Sequence, residues 1–147
     1  MTTRFVDVTR RAFDTLTGLL GMEAIIQASV NESCLLLPSE ARTATVESEM
    51  QHNFRQRGVI VTVNITSAGT GSITAAIQRF DPASGWMDVL ASAALTTDGA
   101  TTLTVYPGFT ASPNSVANAV IPRKWRVKVT HNNANSITYS VGLSTLS

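Results

Sequence analysis

The sequence predicts a single antiparallel β-sandwich, immunoglobulin-like or jelly-roll-like, with about seven strands and an N-terminal helical or extended arm. Three observations predict this fold. Apolar and polar residues alternate in several short segments, which is the pattern of strands that have one buried face. Turn sequences containing Gly, Pro or Asn separate these segments at regular intervals. No helical segment alternates with the strands, as a parallel α/β sheet would require.

The arm is predicted to span residues 1–38 and the sandwich residues 39–147. Asp7 or Thr9 could cap a helix in the arm, and Gly21 could end it. Such a helix could pack on its own sandwich, dock on a neighbouring subunit or lie on a membrane; acidic residues on its polar face disfavour the membrane. Six apolar residues define its buried stripe: Phe5, Val8, Ala12, Leu16, Leu19 and Leu20.

The first half of the sandwich contains the clearest strand of the chain. An edge strand is expected at residues 43–48, followed by a half-buried strand at 59–66 and a turn at 67–71. A further strand follows, with Thr74, Ala76 and Gln78 expected on its outer side. The residues predicted to face the core are Val59, Val61, Val63, Ile65, Ile73, Ala75 and Ile77.

The second half continues the same alternation. Asp81–Gly85 has the composition of a tight turn, Trp86 begins a strand that runs to about Ala93, and Thr97–Gly99 indicates a hairpin. Residues 109–119 have no clear period and are interpreted as a sheet-crossing connection or a contact loop. The residues predicted to face the core in this half are Leu103, Val105, Trp125, Val127, Val129, Ile137, Tyr139, Val141 and Leu143.

Composition limits the classes of function. Charged residues make up 14% of the chain, against about 25% in typical soluble domains, and the formal net charge is +1. No stretch gathers the basic residues that a phosphate backbone needs, and no apolar run is long enough for a membrane span. We therefore expect neither nucleic acid nor membrane as a partner. The N-terminus makes a poor signal peptide, which favours synthesis in a cytoplasm.

Chemistry-bearing motifs are sparse. The single cysteine, Cys34, excludes an intramolecular disulfide and is expected to be a buried or packing residue rather than a reactive thiol. His52 and His131 lack a second ligand at metal-binding spacing. Gly69–Gly71 lacks the Lys of a phosphate-binding loop and is interpreted as a hairpin turn. The sequence thus predicts no catalytic, cofactor-binding or metal-binding residues, no cofactor, and a protein that is not an enzyme.

Two carboxylate pairs and one tryptophan are the remaining candidates. Glu47 with Glu49, and Asp81 with Asp88, resemble paired catalytic acids but are interpreted as solvated or strand-protecting residues. Trp86 follows a turn and could be exposed, which would suit a carbohydrate platform.

Six segments together resemble a group of small structural proteins of tailed bacteriophages, mostly encoded among the head genes. The resemblance covers roughly residues 40–147, and residues 1–32 lie outside it. It implies a virion component, most directly a capsid decoration (cement) protein that binds the major capsid protein on the outer head surface as a homotrimer. No functional residue transfers from it. The segments are Arg57–Val61, Gly71–Ile73, Asp81–Gly85, Val105–Gly108, Ile121–Val127 and Ser136–Gly142.

The expected function is therefore capsid decoration in the virion, stabilising contacts between major capsid protein subunits. The N-terminal segment and the 109–119 loop are expected to carry the capsid or inter-protomer contacts. Two alternatives remain: a tail or neck component of the virion, and a carbohydrate-binding β-sandwich module that uses Trp86.

Overall fold

A computed structural model describes residues 31–147, so the predicted N-terminal helix lies outside the described residues. The described part is all-β, and seven of its strands have seven or more residues, which confirms the predicted β-sandwich. The strands are β1 (Ser33–Arg42), β2 (Val46–Glu47), β3 (Gln51–His52), β4 (Gly58–Ser67), β5 (Ile73–Asp81), β6 (Gly85–Ala91), β7 (Gly99–Val105), β8 (Val116–Ala117), β9 (Lys124–His131) and β10 (Ile137–Leu146).

Two sheets pack face to face. The first sheet has the order β1-β10-β4-β7-β8, and the second has the order β2-β9-β5-β6, with β3 also paired to β9. The pairings are antiparallel except for the short β7–β8 pair. Every residue predicted to face the core is buried, because strand alternation places it between the sheets. Trp125 and Tyr139 are the largest fully buried side chains.

The first strand was not predicted. Residues 33–38 were assigned to the arm and residues 43–48 to an edge strand, whereas β1 covers Ser33–Arg42 and only Val46–Glu47 forms a strand after it. The pairing of β1 with β10 is irregular between Leu35 and Leu37 and again between Leu37 and Glu40. These irregularities, together with the open edge of β1, remove the period of two that identifies a strand in sequence.

Three smaller expectations were wrong. Residues 97–99 do not close a hairpin: β6 belongs to the second sheet and β7 to the first, so the chain crosses between sheets there. The same turn residues occur in hairpins within one sheet and in connections between two sheets.

Cys34 is exposed, because it lies on the open edge formed by β1. Ala76 and Gln78 are buried although they lie on the outer side of β5. Gln78 is covered because its amide is bonded to side chains of β6 and β9.

The long connection after β7 ends in the second sheet, which agrees with one of the two interpretations of residues 109–119, a sheet-crossing connection. It leaves the first sheet after Val105, returns to pair β8 alongside β7, and enters the second sheet at Lys124. No helix in the part of the chain that the structure describes is long and apolar enough to span a membrane.

Candidate interaction surfaces at the two ends of the sandwich

Strand register divides the loops between two ends of the sandwich. Ser33 pairs with Ser144, Ser144 with Ile60, and Ile60 with Thr104. The start of β1, the start of β4 and the ends of β7 and β10 therefore lie together. We call this the proximal end and define it by residues 31–32, 49–57, 79–86, 106–109 and 118–124. The distal end comprises residues 43–45, 67–72, 96–98 and 132–136.

Large apolar side chains are exposed at the proximal end. Phe54 is 67% exposed, Val120 65% and Phe109 46%, and the Phe80 ring is also exposed. Within residues 31–147, the distal end exposes no large hydrophobic side chain. Several exposed apolar side chains at one end of a domain make that end the better candidate for an interaction surface.

The proximal segments are held in place despite their exposed side chains. The Asn53 amide donates hydrogen bonds to the carbonyls of Gln56 and Ile121, at 2.9 and 2.8 Å. The Asn53 backbone N–H donates to the carbonyl of Arg123 at 2.8 Å. Asn53 thus fastens the loop that carries Phe54 to the end of the long connection, so the apolar surface is preformed.

Aromatic contacts also position this surface. The rings of Tyr106 and Phe109 lie 4.8 Å apart between centroids, and Phe80 meets Trp86 edge to face at 5.3 Å. Gly108, at φ 96°, turns the chain beside Phe109, and its N–H donates to the Asn118 side chain at 2.8 Å.

Three proximal cations lie over aromatic rings. The Arg123 guanidinium is 4.9 Å from the Phe54 ring centroid, and the Lys124 ammonium is 5.8 Å from that of Phe80. Arg57 lies 5.6 Å from the Tyr106 ring centroid. Cation–π attraction orients these side chains, and none of the three forms an ion pair with a carboxylate among residues 31–147.

Two arginines outside the proximal end, Arg42 and Arg126, are paired with carboxylates. Arg126 contacts Glu47 at 2.6 Å and Arg42 contacts Glu40 at 3.3 Å. These are the ion pairs formed among residues 31–147, and neither includes a residue of the proximal end.

Arg126 also closes a network over the outer face of the second sheet. Its Nε donates to the Gln78 Oε1 at 2.9 Å, and the Gln78 amide donates to Asp88 at 2.8 Å. The guanidinium lies 4.3 Å from the centroid of the half-buried Trp86 ring. Arg126 therefore covers one side of the ring that the carbohydrate alternative requires.

The distal end satisfies its own polar groups. The Asn133 and Asn135 amides both donate to the carbonyl of Thr70 at 3.1 Å, and the Asn132 amide donates to the Ser72 hydroxyl at 2.9 Å. Asp98 is the single charged residue of this end, and it accepts a hydrogen bond from the Ala68 N–H at 2.7 Å.

Behind the distal turns lies a histidine that faces the interior. His131 ends the inward row of β9, and its ring centroid is 6.0 Å from that of Tyr139. Neither ring nitrogen of His131 nor the Tyr139 hydroxyl has a hydrogen-bond partner among the described residues. Burial, followed by the positive charge of Arg42, lowers the pKa of His131, and burial raises the pKa of Tyr139.

The candidate residues from the sequence have structural roles here. Glu47 pairs with Arg126, Asp88 binds Gln78, and Asp81 accepts hydrogen bonds from the N–H groups of Ala83 and Ser84 in its turn. His52 is exposed, and its ring stacks on that of Phe54 with 6.2 Å between the ring centroids. Between residues 31 and 147 no cluster of three or more His, Cys, Asp or Glu side chains could hold a metal ion.

Sequence reasoning missed most of the proximal surface. Phe54 and Val120 lie in segments without a period, so nothing marked them as a shared surface. Two sequence signals were available. Phe54 is a large apolar residue between the polar residues Asn53 and Arg55, and Val120 lies shortly before the basic pair Arg123 and Lys124.

No protein family matches this sequence, and no curated protein matches it. Among solved structures, the chain is similar to the Yersinia pseudotuberculosis-derived mitogen, with 13% identity and a TM-score of 0.47 over 80% of this chain and 88% of that chain. It is also similar to PirA, with 18% identity and a TM-score of 0.44 over 78% of this chain and 91% of that one. A third similarity is to the naturally occurring empty particles of cowpea mosaic virus (top component), with 14% identity and a TM-score of 0.38 over 78% and 82%. Similarities this low carry no argument about function.

Proposed function

We propose that this protein is a structural component of a bacteriophage virion, a capsid decoration protein that binds the head surface and stabilises contacts between major capsid protein subunits. The resemblance of residues 40–147 to phage head proteins supports the choice of particle. The asymmetry between the two ends of the sandwich supports the choice of surface.

The observation that carries the proposal is a convergence at the proximal end. The arm joins the sandwich at Asn31, whose side chain accepts a hydrogen bond from the N–H of Ser147 at 2.8 Å. The long connection both starts and finishes at this end, with Phe109 near its start and Val120 near its finish. Asn31, where the described sandwich begins, and both ends of the long connection thus lie at the same end as the exposed apolar side chains.

The distal end suits the side of a decoration protein that faces water. Its amides and hydroxyls bond to one another, and it presents no large apolar side chain among residues 31–147. A protein attached by its proximal end would present this polar surface, with Asp98 as its single charged residue, outwards and would have little tendency to recruit further copies.

Repetition would make a modest contact sufficient. A standard protein interface buries on the order of 800 Å² per partner. If neighbouring copies are joined in a trimer, each additional contact acts at high effective concentration, so the assembly is held more tightly than any single copy.

The first test is the composition of purified particles by quantitative mass spectrometry. A decoration protein is expected in a copy number comparable with that of the major capsid protein. A copy number that matches a small ring would instead place the protein in the tail or neck, and its absence from particles would overturn the proposal.

The second test concerns the arm. A variant lacking residues 1–30 should bind decoration-free capsids more weakly than the full chain, and sedimentation analysis of both proteins would show whether the trimer is lost at the same time. Unchanged capsid occupancy would remove the arm from the proposed contact, leaving the proximal loops to account for it.

A further inference from the structure

We infer that the proximal end docks on an acidic protein surface, so that the capsid region it covers carries exposed Asp and Glu side chains around an apolar centre. This inference rests on the proposed function and names the chemistry of the partner at the same surface.

The first reason is how the proximal cations are held. Arg57, Arg123 and Lys124 are oriented by aromatic rings, at 4.9 to 5.8 Å from the ring centroids. None of them forms an ion pair with a residue between 31 and 147. An oriented cation without a carboxylate loses less freedom on meeting a partner than a free side chain does, and it gains an ion pair that it did not have before.

The second reason is the local balance of charge. The chain as a whole has a formal net charge of only +1. At the proximal end, the five cations Arg55, Arg57, Arg79, Arg123 and Lys124 face three carboxylates, Glu32, Glu49 and Asp81. Asp81 already accepts two hydrogen bonds inside its turn. The positive charge is therefore concentrated at the end that also exposes apolar side chains.

The exposed apolar side chains and the cations of the proximal end would contribute differently to binding. Phe54, Phe109 and Val120 supply apolar area, which provides most of the affinity in a protein interface. The cations around them would orient the approach and select an acidic partner, since charges at the rim of an interface contribute chiefly to association rate and specificity.

A single-stranded nucleic acid fits this surface less well. Bases stack on open ring faces, whereas Phe54, Tyr106 and Phe80 each have a cation of this chain nearby over the ring. Carboxylates also lie among the cations, and these would repel a phosphate backbone.

The test compares neutralised variants in a capsid-binding assay at about 50 mM and about 500 mM NaCl. The double variant R123Q/K124Q should bind decoration-free capsids on the order of tenfold more weakly at low salt, and its binding should depend less on salt than that of the unaltered chain. Lys128→Gln is the matched control, since Lys128 is a cation on the same strand, four residues beyond Lys124. Thermal melting of each variant would confirm that it is folded.

Competition distinguishes the partner classes. Poly-L-glutamate should displace the protein from capsids at low salt, and an oligo(dT) strand of equal charge should be the weaker competitor. Stronger displacement by oligo(dT) would overturn the inference in favour of a nucleic acid. Equal binding by R123Q/K124Q and the unaltered chain would overturn the inference alone, and failure of the unaltered chain to bind capsids would overturn the proposed function as well.

Discussion

The two ends of the sandwich differ in chemistry although the same strands run between them. At the distal end, the side-chain amides of Asn133 and Asn135 donate hydrogen bonds to the carbonyl of Thr70, so these polar groups are bonded within the turns. At the proximal end, Asn53 performs the same internal role, but the loop it fastens exposes Phe54. The comparison teaches that internal hydrogen bonds fix the conformation of a loop but not the chemistry of its surface, which depends on the side chains that the loop exposes to solvent.

The same contrast applies to the cations. Away from the proximal end, Arg42 and Arg126 are paired with carboxylates and support the fold. At the proximal end, Arg57, Arg123 and Lys124 contact aromatic rings and form no ion pair with another residue of the described sandwich. The arginines that support the fold are thus different from those that the proposed function assigns to binding.

The largest expected effect is on capsid binding by a proximal double variant. Phe54→Ala with Val120→Ala should weaken binding at least about 30-fold, because an interface hot spot contributes about 2 kcal/mol or more. Both side chains are mostly exposed, so the free energy of unfolding should change little. Capsid pelleting with a dilution series would measure the change.

The matched control for this variant is Asn133→Ala with Asn135→Ala at the distal end. It should bind capsids as the unaltered chain does. If the distal variant lost as much binding as the proximal one, the assignment of the docking end would be wrong.

The next effect is on stability and concerns the support of the proximal end. A Cβ atom added at Gly58 would lie within 3.0 Å of the Val105 carbonyl oxygen and of the Tyr106 ring. Gly58→Ala should therefore reduce the free energy of unfolding by about 1–3 kcal/mol, and it should shift Tyr106 and the Phe109 ring that packs on it.

Gly142→Ala serves as the control for Gly58→Ala, since its nearest neighbour would be the Cys34 carbonyl oxygen at 4.0 Å, an ordinary contact. Urea unfolding of both variants measures the difference. Equal stability of the two would show that the proximal strand ends are not packed as described.

The smallest effect is a pH dependence at the distal end. Burial and the charge of Arg42 lower the pKa of His131 in the folded chain. In the unfolded chain the imidazole has its ordinary pKa of about 6.5, so on acidification it takes up a proton at a higher pH there than in the folded chain. The stability associated with neutral His131 is complete above that pH and is lost as the pH falls towards the lowered pKa. His131→Gln should therefore lose less stability than the unaltered chain between about pH 7.5 and about pH 5.5.

Urea unfolding of His131→Gln and of the unaltered chain at both pH values measures the difference. A profile of His131→Gln that parallels that of the unaltered chain would contradict the account of His131 as a neutral, interior group.

Alternation allowed much of the fold to be predicted. The inward rows of β4, β9 and β10 follow the period of two without interruption, so their buried residues could be assigned from sequence. Strand β1 escaped prediction because its pairing irregularities and open edge hide that period. The crossing at residues 97–99 escaped because turn residues do not report which sheet the next strand joins.

The candidate surface could be predicted only in part. Residues 109–119 were expected to make contacts because they lack a period, and Phe109 is exposed there. Phe54, Arg123 and Lys124 were missed because their proximity depends on Asn53 bonding to the carbonyls of Ile121 and Arg123, about 70 residues away in the chain. Long-range hydrogen bonds of this kind leave no local pattern in sequence.

Hydrogen–deuterium exchange of the protein bound to capsids, compared with the free protein, tests the central claim most directly. Docking by the proximal end predicts slower exchange in residues 53–57 and 106–123 and unchanged exchange in residues 132–136. Protection of residues 132–136 with no change at the proximal loops would contradict the account.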